Sequence, residues 1–344
     1  MRTCIVMLVI LGVAVTAMAQ DLGNSRELPV KNTPIVTYEP PAVPRQGGDT
    51  IVDAQEISLP FSGSGTTVGF ANDYDEQCPW TAHAPDVVYS YLPSEDIDIV
   101  IDLWGSDYDT KLFVLNENLL GIACNDDFYP NWVSRLEMVS LSAGVQYYII
   151  VDGFNESGNY EIQVYENQID IPPDAVPEGE PTLYLGYVDQ YNSGCNFSYE
   201  NPLMQELVGN ESGELTLHGH MGWIALDPIM YDTDWFSIVI GETGAVTIDL
   251  FAQIRTRLGQ LEPLDCNLVD VSQYVDAWLD LPASMTVTGP PFSVAWVAVY
   301  PGRVSLPSGF TNPEFSYLLS FSGLQEGPVV IEQVSWGAVK SLYR

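Results

Sequence analysis

Apolar and polar residues alternate with a period of two along most of the chain. Ile97, Ile99, Ile101 and Leu103 are interleaved with Asp98, Val100 and Asp102, and Tyr160, Ile162 and Val164 with Glu161 and Gln163. Val246, Ile248 and Leu250 keep the same period, as do Val294, Trp296, Ala298 and Tyr300, and then Phe315, Tyr317, Leu319 and Phe321. Half-buried β-strands produce this pattern, because successive side chains leave a strand on opposite faces. Gly, Pro, Asn and Asp punctuate the runs at short intervals, and one short helix is allowed over Val271 to Leu279. The expected fold is all-β, two tandem antiparallel β-sandwiches of jelly-roll type.

Proline marks the boundaries. Residues 20–46 carry five prolines and no alternation, which predicts an extended leader; residues 167–181 carry four prolines and four acidic residues, which predicts a linker. Residues 1–19 read as a signal peptide, with Arg2, an apolar run from Ile5 to Val15, and Ala17-Met18-Ala19 before the cleavage point. The sandwiches are then expected at 47–166 and 182–323, followed by a tail over 324–344. No later stretch has the length of apolar residues that a bilayer-crossing helix needs, so the mature chain is expected outside the cell or on its surface. In the tail, Lys340 and Arg344 accompany Trp336, Val339, Leu342 and Tyr343, a composition suited to a sorting or docking segment or to a final strand.

The two bodies repeat each other. GFANDYDEQC (69–78) has the spacing of GYVDQYNSGC (186–195), DVVYSY from Asp86 matches DTDWFS from Asp232, and Ile101-Asp102-Leu103 matches Ile248-Asp249-Leu250. Cys124 and Cys266 follow in the same order, so the repeat pairs Cys78 with Cys124 and Cys195 with Cys266, free thiols and a pairing across the two bodies being the alternatives.

Charge narrows the function. The 344 residues include 46 Asp and Glu against 11 Lys and Arg, a formal net charge of −35, while a 46% hydrophobic share supports packed cores. Such a surface repels nucleic acid and anionic lipid and favours cations. Residues 47–166 hold 21 acidic and 2 basic residues, and 182–323 hold 16 and 3. The acidity is therefore densest in the first body.

There, Asp73 and Asp75 precede Cys78, Asn125, Asp126 and Asp127 follow Cys124, and Asp107 and Asp109 stand at a strand entrance. Crowded hard oxygens of this kind suit Ca²⁺, which takes six to eight oxygen ligands; solvated Asx turns are the alternative. In the second body Asp189, Asn192, Asn267 and Asp270 occupy matching places with fewer charges. Trp80, Tyr108, Phe128, Tyr129 and Trp132 lie in or beside the acidic loops of the first body and form a candidate face for a sugar or peptide. Catalysis finds little support. The histidines are His83, His218 and His220, and no serine-hydrolase or metalloprotease motif is present.

The segments APDVVYSY (84–91), SDYDTKLFVL (106–115), ACNDDF (123–128), SAGVQYYIIVDG (142–153) and GNYEIQVY (158–165) resemble the bacterial pre-peptidase C-terminal domain family. In the second body the resemblance is looser, carried by YDTDWFSIVIGETGAVTIDL (231–250) and FSVAWVAVYPG (292–302), and RTRLGQLEP stands there in place of the acidic DYDTKLFVL. The resemblance implies secreted β-sandwich modules attached to exported peptidases and other hydrolases, some of them calcium-binding. The expected protein is a secreted, non-catalytic binding or accessory protein that engages extracellular polysaccharide or protein, an exported hydrolase among the candidate partners. A structural envelope spacer and a hydrolase with an unrecognised carboxylate site are the alternatives.

Overall fold

The computed structural model describes residues 46–75, 81, 83–128, 132–196, 202–226, 228–265, 268–302, 308–309, 314–327 and 331–335. The expected signal peptide, the leader up to residue 45, Cys78, Trp80, Tyr129, Cys266, Asn267 and the last nine residues lie outside them. Among the described residues all regular structure is β-strand.

The first body contributes β1 (Gln55–Glu56), β2 (Phe61–Thr66), β3 (Val87–Tyr91), β4 (Ile97–Asp102), β5 (Thr110–Leu115), β6 (Gly121–Asn125), β7 (Arg135–Leu141), β8 (Tyr147–Gly153) and β9 (Asn159–Glu166). They form two sheets, β1-β3-β8-β5-β6 and β2-β9-β4-β7. The alternation read from the sequence does its work here. Tyr160, Ile162 and Val164 of β9 point inward while Asn159, Glu161 and Gln163 face water, and Ile99, Ile101, Ile162 and Val164 of one sheet meet Val87, Leu112, Ile149 and Val151 of the other in one core.

The short strand β10 (Val176–Pro177) opens the second set: β11 (Leu203–Leu207), β12 (Glu214–Leu226), β13 (Ile229–Tyr231), β14 (Asp234–Val239), β15 (Ala245–Ala252), β16 (Thr256–Asp265), β17 (Leu268–Ala277), β18 (Ala283–Thr288), β19 (Val294–Pro301), β20 (Glu314–Ser322) and β21 (Ile331–Ser335). Its sheets run β17-β16-β19-β14-β11-β21 and β10-β12-β20-β15-β18, with β13 paired to β12. Without β10, β13 and β21, this is the strand order of the first body, element for element. Even the parallel pair recurs, since β1 runs parallel to β3 and β11 parallel to β14.

Two stretches differ from the sequence expectation. Val271 to Leu279, where a helix was allowed, lies largely in strand β17, because Val269, Val271, Val275 and Ala277 keep a period of two opposite β16. The linker 167–181 ends as β10, an edge strand parallel to β12, so the second sandwich begins before residue 182. In the tail the final-strand reading holds for Ile331–Ser335, which form β21, antiparallel to β11.

The bodies also touch directly. The Arg135 guanidinium, 3% exposed, reaches Asp102 Oδ2 at 2.6 Å in its own body and Asp280 Oδ1 at 2.7 Å in the other. Phe128 lies 6.5 Å from Trp104 and 6.3 Å from Trp278 across the boundary. Asn167 and Gln253 exchange hydrogen bonds of 3.0 and 2.7 Å, and Met138 of β7 packs into the second body's core.

Candidate cation site in the second body

Strand β10 is two residues long, but it delivers the next side chain to the inside of the sandwich. Glu178 N donates to His218 O at 2.9 Å, and the buried carboxylate accepts from His220 N through Oε1 and from the Tyr317 hydroxyl through Oε2, both at 2.7 Å. Gly219, opposite Tyr317 in the β12–β20 register, leaves the room: a Cβ there would press on the Tyr317 hydroxyl and on Glu178 Oε2. Two residues on, Glu180 is also buried, its Oε1 accepting from the Tyr187 hydroxyl at 2.9 Å. Asp189 caps its own turn through the amides of Tyr191 and Asn192. Asp232 and Asp234, at the entrance to β14, complete the group.

Five carboxylates thus gather in one buried place, and Asp189, Asp232 and Asp234 are all at most 1% exposed. Asp232 and Asp234 meet no donor at strict hydrogen-bonding geometry on either oxygen, nor do Glu180 Oε2 and Asp189 Oδ2, although the Thr233 amide and the Tyr317 hydroxyl come near enough to Asp232 and Asp234 to oppose their rise. A buried ionised carboxylate without partners is costly. Burial pushes Glu178 up to about 7 despite the Tyr317 and His220 bonds, and burial followed by the charges of Asp232 and Asp189 pushes Glu180 up to about 10. Asp189, Asp232 and Asp234 rise for the same first reason. The His220 imidazole places Nδ1 3.3 Å from Glu178 Oε1 and Nε2 3.7 Å from Glu314 Oε2. Hard oxygens, high negative charge and unpartnered lone pairs are the donor set of a calcium-type cation.

The first body builds the matching corner with fewer carboxylates. Gly65 stands opposite Tyr160, as Gly219 does opposite Tyr317. In place of Glu178 there is Gln46, whose Oε1 accepts from Thr66 N at 2.8 Å and whose Nε2 donates to the Tyr160 hydroxyl at 3.1 Å. The first body thus carries an amide where the second carries Glu178 and, in the matched motifs, Val88 where the second carries Asp234, but it keeps a buried carboxylate, Asp86, at the place of Asp232, raised by burial to about 6.

The residues expected to bind calcium in the first body are dispersed by comparison. Asp127 lies close enough to raise both Asp126 and Asp109, the latter to about 6, after burial as the larger cause in each. Asp107 instead binds the Asn159 amide and side chain, and Asn125 Oδ1 accepts from Arg135 N. Asp73 is exposed, and Asp75 pairs with His83 at 3.4 Å. Lys111 brings an internal positive charge, its ammonium 3.9 Å from Asp152 and close enough to lower Asp126. Among the described residues, no three acidic or histidine groups of the first body converge as those of the second do.

The proposed aromatic face divides as well. Tyr108 is buried with its hydroxyl on Asp152 O, Phe128 belongs to the contact between the bodies, and Trp132 is 70% exposed. Cys124 and Cys195 are each half of a disulfide; the positions expected to complete them are outside the described residues. Sequence alone points to Asp189 and Asn192 but not to Glu178, Glu180, Asp232 and Asp234. The available signal was the spacing Glu-x-Glu and Asp-x-Asp, which puts two carboxylates on one side of an extended segment.

No known family's sequence profile matches the chain, and no curated protein does. Among solved structures the chain is similar to the PBSX exported protein XepA, at 9% identity over 75% of this chain and 86% of that one, with a TM-score of 0.22. An oxalate decarboxylase formate complex from Lactobacillus farciminis is 8% identical over 83% and 87%, with a TM-score of 0.19. The CBM22-1–CBM22-2 tandem domain of Paenibacillus barcinonensis Xyn10C is 11% identical over 69% and 82%, with a TM-score of 0.15. Likenesses of this size carry no argument about function.

Proposed function

We propose that the chain is a secreted, non-catalytic binding or accessory protein of two pre-peptidase-like sandwiches, whose second sandwich binds a calcium-type cation. The supporting observation is that Asp232 and Asp234, 1% and 0% exposed, have no donor at strict hydrogen-bonding geometry on any of their four carboxylate oxygens, within a cluster of three further carboxylates. A cation there fixes the corner where the inter-body segment joins the second sandwich. The protein then presents a stable acidic pair of modules to extracellular polysaccharide or protein, an exported hydrolase included, and each module carries its own disulfide, Cys78–Cys124 and Cys195–Cys266.

The test is a melt of chelator-treated protein against Ca²⁺. Binding to the folded state alone adds about 2.7 kcal/mol at about 100 times Kd, so the melting temperature rises with Ca²⁺. No rise at millimolar Ca²⁺ rejects the cation. The fixed contact through Arg135, Asp280, Phe128 and Trp278 favours a second reading, a rigid structural spacer. Absence of binding to any polysaccharide or protein target, with the two bodies holding one orientation in solution scattering, would support the spacer.

A further inference from the structure

Lys111 and Asp152 of the first body are both 0% exposed and stand directly opposite each other in the β5–β8 register. The Lys111 nitrogen is 3.9 Å from Asp152 Oδ2. The pair lies on the outer face of its sheet. Phe113, two residues after Lys111, and Ile150, two before Asp152, belong there to an apolar cluster with Val88, against which Ile51, Ala54 and Tyr74 pack. Asp86, two before Val88, joins them at the entrance to β3. Its Oδ2 takes the Asp73 and Tyr74 amides at 2.9 and 3.0 Å, while its Oδ1 is buried and meets no donor at hydrogen-bonding geometry. Three neighbouring strands, β3, β8 and β5, thus line up a base, a carboxyl and an amine.

An ion pair alone does not need this arrangement. Burial, ahead of the opposing Gly153 amide and Lys111 charge, raises Asp152 to about 8, so near neutral pH it is largely the acid. A neutral carboxyl is an acyl group open to attack by an amine. Gly153 N donates to Asp152 Oδ1 at 2.7 Å, where negative charge develops on attack. Asp152 Oδ2 has no hydrogen-bond partner and is the oxygen free to leave. Adjacent strands hold the two reactants together away from water, which makes the condensation intramolecular. In the second body Arg257 stands opposite Tyr300 in the corresponding β16–β19 register, a pair that cannot condense. The fold itself therefore needs no reactive pair at this place.

We infer that Lys111 and Asp152 condense to an intramolecular amide bond that joins β5 to β8, with Asp86 as the base. The Lys111 ammonium passes a proton to the Asp86 carboxylate, and the freed amine forms an N–C bond to Asp152 Cγ. Asp86 then gives that proton to Oδ2, the C–Oδ2 bond breaks, water leaves and the nitrogen sheds a proton to solvent. One ammonium and one carboxyl are consumed; one amide, one water and one proton are formed, with no change of oxidation state.

Peptide mass spectrometry of the full chain, denatured, reduced and digested with trypsin, reads the bond directly. A branched peptide joining Lys111 to Asp152 is expected, uncut after Lys111 and lighter by one water. Lys111→Met should restore the mass of that water, and Asp86→Ala should slow formation of the bond during refolding by roughly 100-fold. Wild-type peptides cut after Lys111 and carrying their full mass overturn the inference. So does a branch from Lys111 to Asp126, which follows β6 on the other side of β5. A loss of water that survives Lys111→Met marks a cyclic imide at Asp152-Gly153 and overturns it too, and linkage at the wild-type rate in Asp86→Ala refutes Asp86 as the base. The wild-type digest decides the question even if a variant fails to fold.

Discussion

Glu178→Gln puts into the second body the residue that the first body already uses at the matched place, so its consequence can be worked out. Gln can accept from His220 N and donate toward Tyr317, as Gln46 accepts from Thr66 N and donates to Tyr160. The hydrogen bonds are kept and the charge is removed. Glu178 is 1% exposed, and burial raises it from 4.5 to about 7 in the folded chain. The folded state therefore holds the proton more tightly than the unfolded one. The stability cost of ionising Glu178 is absent below about pH 4.5 and grows as the pH climbs to about 7, beyond which it is constant. At about 1.4 kcal/mol per pH unit, the full cost is on the order of 3 kcal/mol. Denaturant unfolding in chelator at pH 8 should show Glu178→Gln more stable than wild type by roughly that amount, with the advantage gone at pH 4.5. In saturating Ca²⁺ the order should reverse, because the variant has lost a ligand. A variant less stable than wild type in chelator at pH 8, or one whose gain survives at pH 4.5, refutes the reasoning.

Other outcomes follow from the same structure. Arg135→Met leaves Asp102, 2% exposed, as an uncompensated buried charge and cuts the link to Asp280, so it should cost about 3–5 kcal/mol in denaturant unfolding; a loss below about 1 kcal/mol would show that the contact between the bodies is incidental. Burial raises the free Asp152 acid to about 8, with Lys111 opposing, so in chains where it is not joined to Lys111 the Asp152 contribution to stability should fall between about pH 4 and pH 8. Asp152→Asn should flatten that slope in a pH series of unfolding midpoints, and an unchanged slope would count against it. Gly219→Ala, which drives a methyl into Tyr317 and Glu178, should lower both the melting temperature and the Ca²⁺ affinity, whereas Gly144→Ala, where a Cβ meets nothing, should spare the affinity.

The sandwiches and their repetition were legible because period-two burial is a local property. Ile97 to Leu103 and Tyr160 to Val164 declare their inward faces whatever they pack against. The matched order of motifs carried through to a matched order of strands. Strand β17 was harder, since Gln273 interrupts its valines and its pairing with β16 contains register shifts. The cation site was not legible for a different reason. Glu178 and Glu180 sit among prolines and read as solvated linker, and their burial depends on β10 finding the edge of β12. Local composition favoured the first body, where the acids are adjacent in sequence; the structure gathers its densest buried group from residues up to 56 positions apart, Glu178 to Asp234. Arg135 and Asp280 are 145 residues apart, and nothing in either neighbourhood announces the pair.

Anomalous diffraction from crystals grown with Ca²⁺ tests the central claim most directly, because it locates each ion without reference to activity. Anomalous density among Glu178, Glu180, Asp189, Asp232 and Asp234 is the result predicted here. Density at Asp109, Asp126 and Asp127 instead, or none in either body, would contradict the account.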